Sequence, residues 1–140
     1  MRMLKILIVV ACLLFVVIAL HKGAKQRAPK YDVATETKVE GTVLKVSNYW
    51  CPIGGDEGTH LVMQTDSRVL EVHVAPRRFL ESNGVSFTKG DVIQAVGSMV
   101  GYEGHEVMIA RKITSGDQTF AFRQPDGRPL WVERLSSYVR

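Results

Sequence analysis

A chain of 140 residues with 46% hydrophobic and 23% charged residues has material for one small domain and not for a second core. Its net charge of +4 changes meaning once divided: residues 1–30 hold 6 of the 18 Lys and Arg and no acids, leaving 12 basic against 14 acidic side chains, a net of −2, in residues 31–140. The basic excess belongs to the leader, which argues against a cationic nucleic-acid surface on the folded part.

The leader carries Arg2 and Lys5 ahead of an uninterrupted apolar run, Ile6 to Leu20. Fifteen helical residues rise about 22 Å, short of a hydrocarbon core of about 30 Å unless Met3 and Leu4 are borrowed past Lys5. Residues 1–22 therefore read as a signal peptide or a transmembrane anchor, with residues 3–20 in the membrane. The lack of an Ala-x-Ala arrangement after Leu20 favours the uncleaved anchor. Basic residues flank the run on both sides, so the orientation expected here, a single pass in the cytoplasmic (inner) membrane with the domain in the periplasm, follows from the likeness to a signal sequence. Residues 23–37, polar and Lys-rich with Pro29 inside, read as a tether.

The domain, residues 38–132, opens with a strand over Val39–Val46 in which Gly41 permits bending. A loop is expected from Ser47 to Gly58. It holds Tyr49, Trp50, Cys51 and three glycines, with two readings for Trp50: part of a functional surface, or a plug at one end of the core. Gly58 to Val74 then alternates apolar and polar residues around Asp66-Ser67, the pattern of a β-hairpin. A turn centred there sets Leu61 against Val72 and Met63 against Leu70 on a core face. The other face then carries His60 opposite His73, Val62 opposite Glu71 and Gln64 opposite Val69. Pro76 and Gly84 frame a short helix with Phe79 and Leu80 buried; Arg77 and Arg78 at its start read as solvated. Val92–Val100 and His105–Ile113 form a second hairpin around Gly101–Gly104, pairing Val96 with Ile109 and Ala95 with Ala110. A third ribbon is expected from Thr119–Arg123 and Pro129–Trp131, and residues 133–140 read as a tail.

Three strands, a short helix, two strands and an accessory hairpin define the expected class: mainly β, a five-stranded OB-like barrel with one helix between strands 3 and 4. The chain also resembles a group of small exported OB-like domains, including those of some magnetosome-associated membrane proteins. The resemblance lies in Gly58-Thr59-His60-Leu61, Glu71-Val72-His73-Val74, Lys89-Gly90-Asp91, Gly97-Ser98, Ile109-Ala110-Arg111, and Phe122-Arg123 leading to Gly127-Arg128-Pro129-Leu130-Trp131. It implies fold and export and does not name an activity. Val74-Ala75-Pro76 stands where the group would have Leu-Gly-Pro.

An OB barrel presents the outer face of its second and third strands to a ligand. Here that face carries His60, Val62, Gln64, Glu71 and His73, with Tyr49 and Trp50 on the adjoining loop. The expected function is recognition of a protein partner or small ligand there. The alternative is a metal-handling or redox-accessory domain, because opposed imidazoles about 5 Å apart at Cβ reach one ion. Cys51 and Glu71 are candidates to complete a set with His60 and His73 for zinc, copper or a haem-linked metal. The bland reading leaves the two histidines as polar residues on a wet face, and His105 as an exposed flank. No nucleophile–base spacing, phosphate loop or closed metal motif points to an enzyme, and strands 2 and 3 lack the aromatic platform a nucleic-acid strand would need.

Overall fold

A computed structural model describes residues 1–21 and 27–132. The expected tail, 133–140, residue 22 of the leader and residues 23–26 of the tether lie outside the described residues. The leader forms helix α1 (Arg2–His21); among the described residues no helix is long and apolar enough to cross a membrane.

The strands are β1 (Glu36–Cys51), β2 (Asp56–Gln64), β3 (Val69–Pro76), β4 (Val92–Tyr102), β5 (His105–Ser115) and β6 (Gln118–Ala121), with helix α2 (Arg77–Ser82) between β3 and β4. They form one sheet in the order β3-β2-β1-β4-β5-β6, and a parallel pairing of β3 with β5, Val72 to Met108 and His73 to Ile109, closes five of them into a ring. The long β1 makes this closure. Its first half pairs with β4 up to Thr42 and its second half pairs with β2 from Thr42 on, so the strand bends at Gly41–Thr42 and belongs to both walls.

From His60 to Gln64 the 58–74 hairpin has the expected register, Leu61–Val72, Met63–Leu70, His60–His73, Val62–Glu71 and Gln64–Val69, and a shift between Thr59 and His60 then sets Thr59 against Ala75. Leu61, Met63, Leu70 and Val72 are fully buried with Val43, Ile93, Ala95, Met108, Ala110, Ile113 and Phe122. Each large apolar side chain buried in this way stabilises the fold by about 1.5–3 kcal/mol. The turn is pinned by Thr65 and Arg68, whose backbone groups bond each other (Thr65 N–H to Arg68 O, 2.9 Å) while the Thr65 hydroxyl donates to the same carbonyl at 2.8 Å. Helix α2 buries Phe79 and Leu80 against β2 and β3. It stops where Gly84 takes φ 66° and Val85 N–H returns to Leu80 O at 3.0 Å.

Four expectations are corrected. The segment 47–58 is not a loop: Ser47–Cys51 continues β1, Asp56–Gly58 opens β2, and only Pro52–Gly55 turns. Trp50 does not plug the core, being 66% exposed. The second hairpin pairs Ser98 with Ile109 and Gly97 with Ala110, because its two-residue turn is Glu103-Gly104 (φ 49° and 84°), one residue later than expected, and a bulge between Val96 and Gly97 then moves Ala95 onto Ile113. Gly97 is needed at that bulge: a Cβ there would lie 2.3 Å from Ile109 O. Finally, the third ribbon contributes a single strand, β6, which adds to β5 and makes the sheet six-stranded. Pro129 meets Arg123 only as an isolated bridge, and Leu130–Val132 start a helical turn.

The expected tether docks before it enters the sheet. Arg111 of β5 grips the Glu36 carboxylate with two nitrogens, both at 2.7 Å, and the Tyr31 hydroxyl donates to the same carboxylate. Asp32 N–H donates to Ser98 Oγ at 3.0 Å.

Candidate metal centre

Both histidines of the central hairpin are buried, His60 at 2% and His73 at 5% exposure, so the wet-face reading does not describe them. What covers them is the β1–β2 extension. Because β1 runs on to Cys51, the Tyr49 ring lies flat on the His60 ring (3.8 Å, 6°), and Cys51, 4% exposed, reaches Nδ1 of His73 with its Sγ at 3.2 Å. His60 meets His73 edge-on at 4.4 Å. Tyr102, at the end of β4, closes the far side of His73, edge-on at 6.0 Å. Gly58 allows this packing, since a Cβ there would lie 2.8 Å from that of Cys51.

The donor atoms of Cys51, His60 and His73 all lie within 4.8 Å of one another. A metal with bonds of about 2.3 Å to sulfur and about 2.0 Å to nitrogen needs S···N separations of about 3.5–3.7 Å, which the 3.2 Å contact and the 4.8 Å limit bracket. Both nitrogens of His60 and Nε2 of His73 are buried without a hydrogen-bond partner, and an orphaned buried group of this kind costs about 1–3 kcal/mol. Glu71 Oε1 approaches His73 Nε2 to 3.2 Å, inside ion-pair range, but off the line a hydrogen bond requires.

Electrostatics favour neutral ligands. Burial, reinforced by the neighbouring His73, pushes the pKa of His60 down to about 4, while Glu71 and then the backbone carbonyls of Gly58 and Ser47 pull the other way, the carbonyls without closing a well-formed hydrogen bond. Burial also lowers His73, against the pull of Glu71, and raises the Cys51 thiol. Glu71 is opposed by its own burial, yet Tyr49 and the histidines hold its carboxyl below the usual range. A Cys–His–Glu line of this geometry could suggest a nucleophile with its base and orienting group. A resting thiolate–imidazolium pair is disfavoured there, because burial drives both members towards neutrality. A metal ion needs only neutral imidazoles and the loss of the thiol proton.

Of the sequence candidates, Cys51, His60, His73, Glu71 and Tyr49 come together. Glu71 sits on the outer nitrogen of His73 rather than among the donors, and the Tyr49 hydroxyl donates to it at 2.6 Å. Val62 lies one pair further along the hairpin, and Gln64 is engaged with the turn, its Nε2 donating to Thr65 O at 2.8 Å. Trp50 points to solvent. His105, read as an exposed flank, is exposed but comes within 3.6 Å of Glu71. Arg77 pairs with Glu81 at 2.7 Å and Glu57 at 3.5 Å, and Arg78 pairs with Asp56. Sequence reasoning missed Tyr102 and Arg123. Arg123 is 8% exposed, with Trp131 and Tyr31 rings 4.8 and 5.7 Å from its guanidinium carbon and Nη1 donating to Gly127 O at 3.0 Å. It shares with Cys51, His60 and His73 the wall of a cleft of about 10 Å³. A haem does not fit there, because neither the buried imidazole edges nor a space near the size of one water admits a macrocycle.

Fold and site together define a small OB-like β domain with a buried thiol and two imidazoles under its rim. The chain belongs to the MamS/MamX magnetosome protein family, whose profile matches residues 35–120. That span includes Cys51, His60 and His73 and stops short of Arg123. No curated protein matches the chain. Among solved structures, it is similar to a chain in the crystal structure of the S. pombe Stn1–Ten1 complex, with 14% identity, coverage of 59% of each chain and a TM-score of 0.47.

Proposed function

We propose that this protein binds a thiophilic transition-metal ion through Cys51 Sγ and one ring nitrogen each of His60 and His73, on a five-stranded OB-like barrel with β6 as an accessory strand. The observation that carries the reading is that both ring nitrogens of His60 are buried without a partner while Cys51, His60 and His73 bring one donor atom each within 4.8 Å of one another. A metal replaces the missing hydrogen bonds and gives three buried polar side chains a common partner. Glu71, held by Tyr49, then acts as the carboxylate that orients a metal-bound imidazole from outside.

The domain is exported and held at the cytoplasmic membrane by residues 3–20 in this reading, supported by the Arg2/Lys5 start and the apolar run to Leu20. Metal handling takes precedence over recognition of a ligand by the outer hairpin face, because the histidines that would form that face are buried. Partner recognition keeps one specific support, the exposed Trp50 on the same extension.

Elemental analysis of the purified full-length chain, followed by calorimetric titration with zinc and copper, tests the proposal. One ion per chain is expected, with Cys51→Ala, His60→Ala and His73→Ala each weakening binding at least tenfold. Unchanged binding in all three variants would falsify it.

A further inference from the structure

We propose, resting on the metal-site reading above, that the ion is monovalent copper held by three protein ligands, and that the charges around the site select it over divalent zinc. The donor set comes first. One thiolate and two imidazoles suit copper and zinc alike, but zinc completes a tetrahedron, with a fourth protein ligand in structural sites and a water in open ones. Among the described residues the donor cluster stops at three, since the Glu71 carboxylate lies on Nε2 of His73 while Nδ1 faces Cys51. The cleft of about 10 Å³ is walled on much of its surface by Ile53, Val74, Ala75, Pro76 and Trp131. A water there would be at the lower limit of size. Trigonal copper needs none.

Charge comes second. Arg123 is buried on the cleft wall, with its Nε unpartnered, one nitrogen on a carbonyl and aromatic rings beside it. Glu71, behind His73, carries the opposite sign. The two formal charges cancel, and Asp56, also on the cleft wall, is paired with Arg78, so the buried metal unit should itself be neutral. Copper(I) with one thiolate and two neutral imidazoles is neutral. Zinc in the same ligands leaves a surplus positive charge facing Arg123.

The test uses the full-length chain, metal-free and reduced, titrated without oxygen with copper(I) against a bicinchoninate competitor and with zinc against a zinc chromophore. Expected are one copper(I) per chain, X-ray absorption showing one sulfur and two nitrogen neighbours without oxygen, and copper affinity at least a hundredfold above that of zinc. Two variants separate selection by charge from the intrinsic taste of a thiolate. Arg123→Met should lower the copper-to-zinc affinity ratio about tenfold, and Glu71→Gln should raise it by a similar factor. Circular-dichroism melts report whether each variant folds; if Arg123→Met does not, the direction of the Glu71→Gln shift decides alone. Zinc bound as tightly as copper, a fourth ligand in the copper spectrum, or a falling ratio in Glu71→Gln overturns the copper assignment while leaving the metal site standing. No binding of either ion overturns both.

Discussion

At pH 7 the metal-free cluster stores its imidazoles in the neutral state, and this has a consequence for stability. His60 titrates near 4 in the folded chain and near 6.5 when unfolded. Between those values the unfolded chain binds more protons than the folded one, so stability rises with pH across the window and is lost as pH falls through it. His73 shifts in the same direction. We expect the metal-free protein to lose on the order of 3 kcal/mol between pH 7 and pH 4 through His60. Urea melts at a series of pH values measure this, and His60→Leu, which keeps an apolar side chain in the space, should flatten the slope. An equal slope in wild type and variant would assign the acid sensitivity to other groups. Metal should protect the fold only above this window, since protons and the ion compete for the same nitrogens.

At the scale of elements, the β4–β5 hairpin is the one whose turn chemistry is least suited to its shape. Both central turn residues take positive φ, Glu103 at 49° and Gly104 at 84°, the requirement of a two-residue primed turn. Glutamate is a poor occupant of that region and asparagine a good one. Glu103→Asn is therefore expected to stabilise the protein by about 0.5–1 kcal/mol, read as a higher urea midpoint at unchanged slope. A lower midpoint would mean that Glu103 contributes something beyond the turn. By contrast, the bulge at Gly97 leaves no such freedom. Gly97→Ala would set a Cβ against Ile109 O and should cost about 1–3 kcal/mol in the same melts.

For the whole molecule, the core from Val43 to Phe122 and the Tyr31–Glu36–Arg111 cluster lie beyond the basic leader. Residues 31–140 are accordingly expected to fold cooperatively alone. With a net charge of −2 they release few counterions from a nucleic acid. Aromatic stacking offers little more: of the two exposed rings on the β1–β2 extension, Tyr49 is already stacked on His60 and bonded to Glu71, which leaves Trp50. Fluorescence anisotropy with labelled single strands should show no binding below micromolar concentration at physiological salt. Sub-micromolar, salt-sensitive binding would return the domain to the nucleic-acid role common among OB barrels.

The hairpin register was legible in the chain alone, because period-two alternation leaves one pairing in which Leu61, Met63, Leu70 and Val72 share a face. The same alternation put His60 opposite His73, and Pro76 and Gly84 marked the helix between β3 and β4 through their fixed and permissive backbones. The β4–β5 register was not legible. A glycine at each end of Gly101-Tyr102-Glu103-Gly104 allows more than one turn, and one residue of displacement moves every pair by two. Burial of the histidines was decided only in three dimensions. Alternation assigns a side chain to a face and is silent about what lies over that face. Here β1 continues past its expected end to bring Tyr49 and Cys51 over the hairpin, and Arg123 reaches the same cleft from 50 positions beyond His73. The donor types of the centre are a property of the sequence; that they meet in a buried cluster depends on the closing of the ring between β3 and β5 and on the long strand that spans both its walls.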